Sequence, residues 1–106
     1  MIVRIRHGRV PTSKAKVYRE FLIRTAIPGY RKVEGNISAE ILERKEGDIT
    51  HFLTVSHWKN LDVIRGFAGD DIEQAKYIPE DREYLLELEE KVLHYEVVDQ
   101  TWRYFQ

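Results

Sequence analysis

The ten residues Ile49–Trp58, ITHFLTVSHW, limit the fold more than any other stretch of this chain. They are rich in β-branched and aromatic side chains, which suit a pleated, half-buried surface. Alternation sets Ile49, His51, Leu53, Val55 and His57 on one face and Phe52, Thr54, Ser56 and Trp58 on the other. Both faces carry bulk, so the strand is predicted to be central in its sheet and covered on both sides. A chain of 106 residues has room for one domain only. Its helices are expected to cover one sheet face, so something beyond the monomer must cover the other. A second copy of the chain is the common solution.

On either side of this strand the pattern changes period. Residues 2–10 alternate, with Val3, Ile5 and His7 on one side and Arg4 and Arg6 on the other. They read as a strand with one buried face, the arginines being strand-surface or dimer-face charges. Pro11 ends it, and Thr12 or Ser13 is placed to cap a helix. The spacing of Tyr18, Phe21, Leu22 and Thr25 carries that helix to about Ile27, where Pro28-Gly29 stops it. Residues 36–45 alternate as a second strand, and Glu46-Gly47-Asp48 is a tight-turn signal into the central one.

Beyond Trp58, Asn60 caps a short helix with Leu61, Ile64 and Ala68 on its apolar face, and Gly69 ends it. Asp70 or Asp71 caps a further turn through Ile72, Gln74 and Ala75. Pro79 opens another helix, with Glu80 and Asp81 at its positive end and Leu85 and Leu88 continuing the stripe. Residues 92–98 form the last strand. The order β-α-β-β-α-β over a single domain, residues 1–106, predicts an α+β ferredoxin-like sandwich with a four-stranded antiparallel sheet. The aromatic tail TWRYFQ, residues 101–106, is expected to help cover a dimer interface, since its rings would otherwise be wet.

Composition removes several functions. The chain has no cysteine, which excludes disulfides, thiolate metal sites and a cysteine nucleophile, and fits a reducing cytoplasm. No apolar run approaches the roughly 20 residues of a membrane span, and MIVRIRHGRV alternates where a signal peptide would be continuously apolar. Residues 1–35 hold nine Lys or Arg against two acids, and residues 36–106 hold eight against sixteen. No basic run exceeds two residues, so the halves are expected to neutralise each other across the fold or a dimer. Nucleic acid is not an expected partner. Phosphate-cradling loops, dinucleotide fingerprints and nucleophile elbows are absent.

The stretch from Phe52 to Asp81 collects the side chains best suited to a ligand pocket: His57, Trp58, Phe67 and Tyr77. Trp58 either plugs the sheet end or lines the pocket. Tyr77 is held extended by the following Ile78-Pro79, and its ring either closes a pocket mouth or lies flat on the sheet. His94 shares a strand face with Val92, Glu96 and Val98, where it is either a core histidine bonded to backbone or a catalyst. His51 and His57 lie six residues apart, about 20 Å along a strand, too far for one metal; His7 is on another strand that can approach either. With no HxH or HxxxH spacing beside a carboxylate, no metal site is expected. Glu87, Glu89 and Glu90 read as a solvated helix face.

The run HWKNLDVIRGFAGDDIEQAKYIPEDREYLLELEEKVLHYEV resembles the antibiotic biosynthesis monooxygenase family. The marks are Trp58, the segment Ile64-Arg65-Gly66-Phe67-Ala68-Gly69, the segment Tyr77-Ile78-Pro79-Glu80-Asp81, and Val92-Leu93-His94-Tyr95-Glu96-Val97. The resemblance implies ferredoxin-like subunits that pair sheet to sheet as a homodimer, a dimeric α+β barrel. It implies one of several activities: oxidation of phenols or quinols by O₂ without metal or flavin, haem degradation, or none. For the cofactor-free oxygenase, His94 would be base or donor and Trp58 would orient the substrate. His57, Phe67, Tyr77, Arg6 and Arg65 would surround it, an arginine stabilising the anion. The haem-degrading branch places a helical histidine near Ala75-Lys76; lysine, charged at neutral pH, is a poor iron ligand. Two readings follow: a cytoplasmic, cofactor-independent monooxygenase acting on a small aromatic or quinol-like compound, or a non-catalytic dimer that binds a small apolar molecule. A purely structural dimer is the third.

Overall fold

The computed structural model describes residues 1–101. The chain runs through β1 (Ile2–Pro11), α1 (Ala15–Arg31), β2 (Asn36–Glu46), β3 (Ile49–Trp58), α2 (Leu61–Ala68) and β4 (Leu93–Glu96), with single 3₁₀ turns at Thr12–Lys14 and Pro79–Glu83. The four strands form one sheet in the order β2-β3-β1-β4, each neighbouring pair antiparallel. This is the ferredoxin-like α+β arrangement. β1 and β3 pair over their whole length, from Ile2 opposite Trp58 to Pro11 opposite Ile49, and are the two central strands.

Register decides which side chains face the helices. On β3 the inward residues are Thr50, Phe52, Thr54, Ser56 and Trp58, all buried. On β1 they are Arg4, Arg6, Gly8 and Val10. This corrects the reading of β1: Arg4 and Arg6 are core residues, 3% and 8% exposed, not surface charges. The guanidinium groups are tolerated because each finds backbone acceptors. Arg4 donates to the carbonyls of Ile72 and Gln74, and Arg6 to that of Lys76. Three carbonyls of one extended segment thus rest on two arginines of one strand. The segment's other edge is held by backbone bonds from Ala75 N to the Glu90 carbonyl and from Val92 N to the Glu73 carbonyl.

Two apolar clusters fill the space between sheet and helices. Tyr18, Phe21 and Leu22 of α1 pack with Val10, Ala15, Phe52 and Leu85; Tyr30, Trp58 and Ile64 form the second, with Phe67 against it. The second cluster explains why α1 outruns its stop signal. The helix passes through Pro28 and ends at Arg31. A proline inside a helix costs roughly 3 kcal/mol, and burying Tyr30 against Trp58 offsets it. The Tyr30 hydroxyl also donates to Thr54 Oγ1 at 3.2 Å. Thr12 does not cap α1; its hydroxyl donates to the Gly47 carbonyl at 2.9 Å and pins the hairpin turn.

The expected C-terminal helix is a second correction. Pro79 opens only a 3₁₀ turn of five residues, and Leu85 and Leu88 lie in irregular chain. Leu85 packs against the bare backbone of Gly8, where a Cβ would come within 2.7 Å of it, and Leu86 N bonds the Arg9 carbonyl. The segment serves as edge cover for β1 beyond the point where β4 ends. The further turn does form at Ile72–Glu73, with Asp71 capping it by accepting from Glu73 N at 3.2 Å, and beyond it the chain runs extended over the two arginines. β4 spans four residues rather than seven. Asn60 caps α2 as predicted, accepting from Val63 N at 3.0 Å.

The outer sheet face carries Val3, Ile5, Leu53 and Val55, with Leu42, Leu93 and Tyr95 about half exposed. No element among the described residues packs over it. The tail at residues 102–106 lies outside the described residues.

Candidate functional site

A cavity of about 390 Å³ opens between α1, the end of α2 and the segment from Lys76 to Asp81. Leu22, Ala26 and Tyr30 come from successive turns of α1, Phe67 from α2, and Arg6 from the floor of β1. Tyr30, Leu22, Arg6 and Asp81 are buried, whereas Lys32, Gly66, Lys76 and Ile78 are exposed and mark the mouth. The volume is in the range of small-molecule sites.

The floor is a polar network inside apolar walls. Arg6 Nη1 donates to the Lys76 carbonyl at 2.8 Å and Nη2 to the Tyr18 hydroxyl at 3.1 Å. Tyr18 in turn donates to Asp81 Oδ1 at 2.9 Å, and Arg6 Nη2 lies 3.8 Å from the same oxygen. Asp81 Oδ2 accepts from Ile78 N at 2.9 Å, so the turn opened by Pro79 aims the carboxylate inward. The Arg6 guanidinium stacks over the Tyr77 ring at 4.6 Å. Burial pushes the Tyr18 phenol far above its ordinary pKa, and that of Tyr77 up as well. Both remain phenols. Tyr77 donates to the Glu89 carbonyl at 2.7 Å, so neither hydroxyl is a free base. Asp81 is the one carboxylate of the cavity lining, and the lining holds no histidine.

The residues singled out by sequence divide accordingly. Arg6, Phe67 and Tyr77 line the cavity. Trp58 stands one layer behind, fully buried, 5.2 Å from the Phe67 ring, its indole N–H donating to Ser56 Oγ at 2.8 Å. His94 lies beyond Arg4, whose Nη1 is 3.0 Å from His94 Nε2. A guanidinium only donates, so Nε2 accepts and the ring is neutral, with its proton on Nδ1. Burial, then Arg4, lowers the His94 pKa. His57 faces the outer sheet surface beside Ser38, Nδ1 to Oγ 3.1 Å. Arg65 points to solvent and pairs with Asp62.

Sequence reading missed Tyr30, Lys32, Lys76 and Asp81 as cavity residues. Tyr30 had a signal, since Leu22, Ala26 and Tyr30 continue one helical face at i, i+4 and i+8. Asp81 had none: a first-turn acid after proline looks the same whether it faces solvent or core.

The histidine on the neighbouring strand does meet His51. His7 Nε2 lies 2.9 Å from His51 Nδ1, with Glu89 on the far nitrogen of His7 at 2.7 Å and Glu46 on that of His51 at 3.0 Å. The four groups form a hydrogen-bonded row along the outer face, away from the cavity. No group of three or more such side chains with metal-binding geometry occurs among the described residues.

No family model matches the chain, and neither does any curated protein. Solved structures do. One from Nitrosomonas europaea, provisionally named an antibiotic biosynthesis monooxygenase, superposes with TM-score 0.67 at 20% identity, over 93% of this chain and 100% of its own. Another, from Bacillus cereus and named in the same way, gives 0.69 at 14% identity, over 98% and 97%. The heme degrader MhuD of Mycobacterium tuberculosis, with two hemes bound in its active site, gives 0.66 at 16% identity, over 96% and 100%. At such identities the likeness is one of fold.

Proposed function

We propose that the cavity binds a small aromatic or quinol-like molecule and that the protein is a cofactor-independent monooxygenase working as a homodimer. The observation that carries this reading is the cavity itself: aromatic walls from Phe67, Tyr30 and Tyr77 around the cationic Arg6 and the carboxylate Asp81. An electron-rich ring can stack on those walls. Asp81 accepts a hydrogen bond or proton from its hydroxyl, and Arg6 stabilises the resulting anion, which passes an electron to O₂. For an anthrone the balance closes without an outside reductant: the ring CH₂ becomes C=O, and the second oxygen atom leaves as water. Trp58 and His94 act in this reading through others, Trp58 by backing Phe67 and His94 by holding Arg4.

Heme fits this cavity poorly. Its lining offers no histidine, cysteine or methionine to iron. The phenols of Tyr30 and Tyr77 are engaged with Thr54 and Glu89, and position 76 is a lysine. The homodimer rests on the uncovered apolar outer face, with Leu42, Leu93 and Tyr95 on it.

A binding protein without turnover is the second reading. The lack of a histidine and of a free phenol in the lining favours it. Oxygen uptake by metal-free protein with a panel of quinols and anthrones separates the two, with Asp81→Asn and Phe67→Ala alongside. Turnover lost in both variants supports the oxygenase. Saturable binding of the same compounds with no uptake supports the binding protein.

A further inference from the structure

The charges around the cavity are one-sided. Lys32 and Lys76 stand at its mouth and Arg6 in its floor. Arg4 lies behind the Phe67 wall, its guanidinium 5.8 Å from that ring. Against these four cations the lining sets one carboxylate, Asp81, which already serves Arg6 and Tyr18. Arg4 is buried among carbonyls and a neutral imidazole, with no carboxylate within 4.0 Å among the described residues. Neither mouth lysine has such a partner either.

Exposed lysines are ordinarily solvated and mobile, and Lys76 departs from that. Its Nζ donates to the Phe67 carbonyl at 3.0 Å and sits 4.4 Å over the Phe67 ring. The ammonium is thereby drawn over the aromatic wall with two N–H donors to spare. Low-dielectric walls focus such a field onto whatever enters.

Resting on the ligand-site reading above, we propose that the cavity selects an aromatic carboxylate, its ring against Phe67 and Tyr77 and its carboxylate held at the mouth by Lys76 and Lys32. The orientation follows from Asp81. An anion at the floor would meet that carboxylate, whereas the charged lining residues at the mouth are both cations. Lys76 is the specificity-determining residue, because it touches both the aromatic wall and the charge.

The test uses 1-hydroxy-2-naphthoate and its neutral amide as fluorescent probes at neutral pH. The acid is expected to bind at least about tenfold tighter than the amide, one good charge contact in a partly desolvated site. The preference is expected to shrink in 0.5 M NaCl. Lys76→Gln should reduce it to below about threefold by weakening the acid far more than the amide, and Phe67→Ala should weaken both probes alike. Equal binding of acid and amide overturns the proposal, as does a Lys76→Gln loss shared by both. Failure of both probes to bind removes the ligand site along with it. Preference for the acid without any O₂ uptake removes the oxygenase and leaves this proposal standing.

Discussion

Gly35 and Gly29 sit six residues apart and are expected to respond to alanine in opposite ways. Gly35 has φ +96°, and an added Cβ would meet Val63 at 2.6 Å. Gly35→Ala should cost about 1–3 kcal/mol from backbone strain, with the clash on top. Gly29 is helical and a Cβ there meets nothing within 4 Å, so Gly29→Ala should be neutral or stabilise by about 0.5–1 kcal/mol. Urea midpoints of the two variants check the contrast. His94 offers a second test at this scale. Its folded pKa is lowered, so the unfolded chain binds the proton more tightly. Its contribution is therefore complete above about pH 6.5 and is lost as pH falls from there towards the folded value. His94→Gln keeps an acceptor for Arg4 and should flatten stability between pH 7.5 and 5. An unaltered slope would remove His94 as its source. What sequence could reveal at this scale was residue type. It marked Phe67, Tyr77 and Arg6, which share the cavity, but equally His57 and Arg65, which face other surfaces. Strand and helix periods assign faces; they do not say which faces of different elements meet.

At the scale of elements, the unusual device is the pair of arginines on β1 beneath Ile72–Lys76. Alternating sequence would ordinarily place Arg4 and Arg6 in water and Val3 and Ile5 inside. The fold reverses this because the extended segment presents three carbonyls that no strand or helix satisfies, and buried backbone acceptors need donors. Arg4→Met should free the carbonyls of Ile72 and Gln74 and destabilise by about 1–3 kcal/mol. Arg4→Lys should recover little of it, since one ammonium cannot reproduce a planar fork. Hydrogen exchange at the Ala75 and Val92 amides reads the loosening directly. Unchanged protection in Arg4→Met would show that the Glu90 and Glu73 carbonyls hold the segment alone. The strands, the hairpin and α2 were legible because period, turn chemistry and caps are local. The overrun of α1 past Pro28 and the collapse of the C-terminal helix to one 3₁₀ turn were not. Both depend on distant partners, Trp58 for Tyr30 and Gly8 for Leu85.

For the molecule as a whole, the outer sheet face is the outstanding surface. Leu42, Leu93 and Tyr95 stand half exposed beside Val3, Ile5 and Leu53, and no described element covers them. Light scattering on the full chain should give twice the monomer mass. Leu42→Glu with Leu93→Glu should give the monomer with its far-UV spectrum intact, because both residues are already solvated in the single chain. A wild-type monomer would remove the homodimer.

The sequence by itself determined the order of elements, the hairpin, the centrality of Ile49–Trp58 and hence the sheet topology. These rest on local periodicity and on the few ways such an order can pack. Tertiary structure alone decided that two arginines lie inside, that Asp81 turns into the cavity while His94 is spent on Arg4, and that Lys32 and Lys76 share its mouth. Those outcomes depend on which groups are brought opposite each other from distant parts of the chain, 63 to 90 residues apart for the hydrogen bonds and 44 for the two lysines, and no local pattern encodes that.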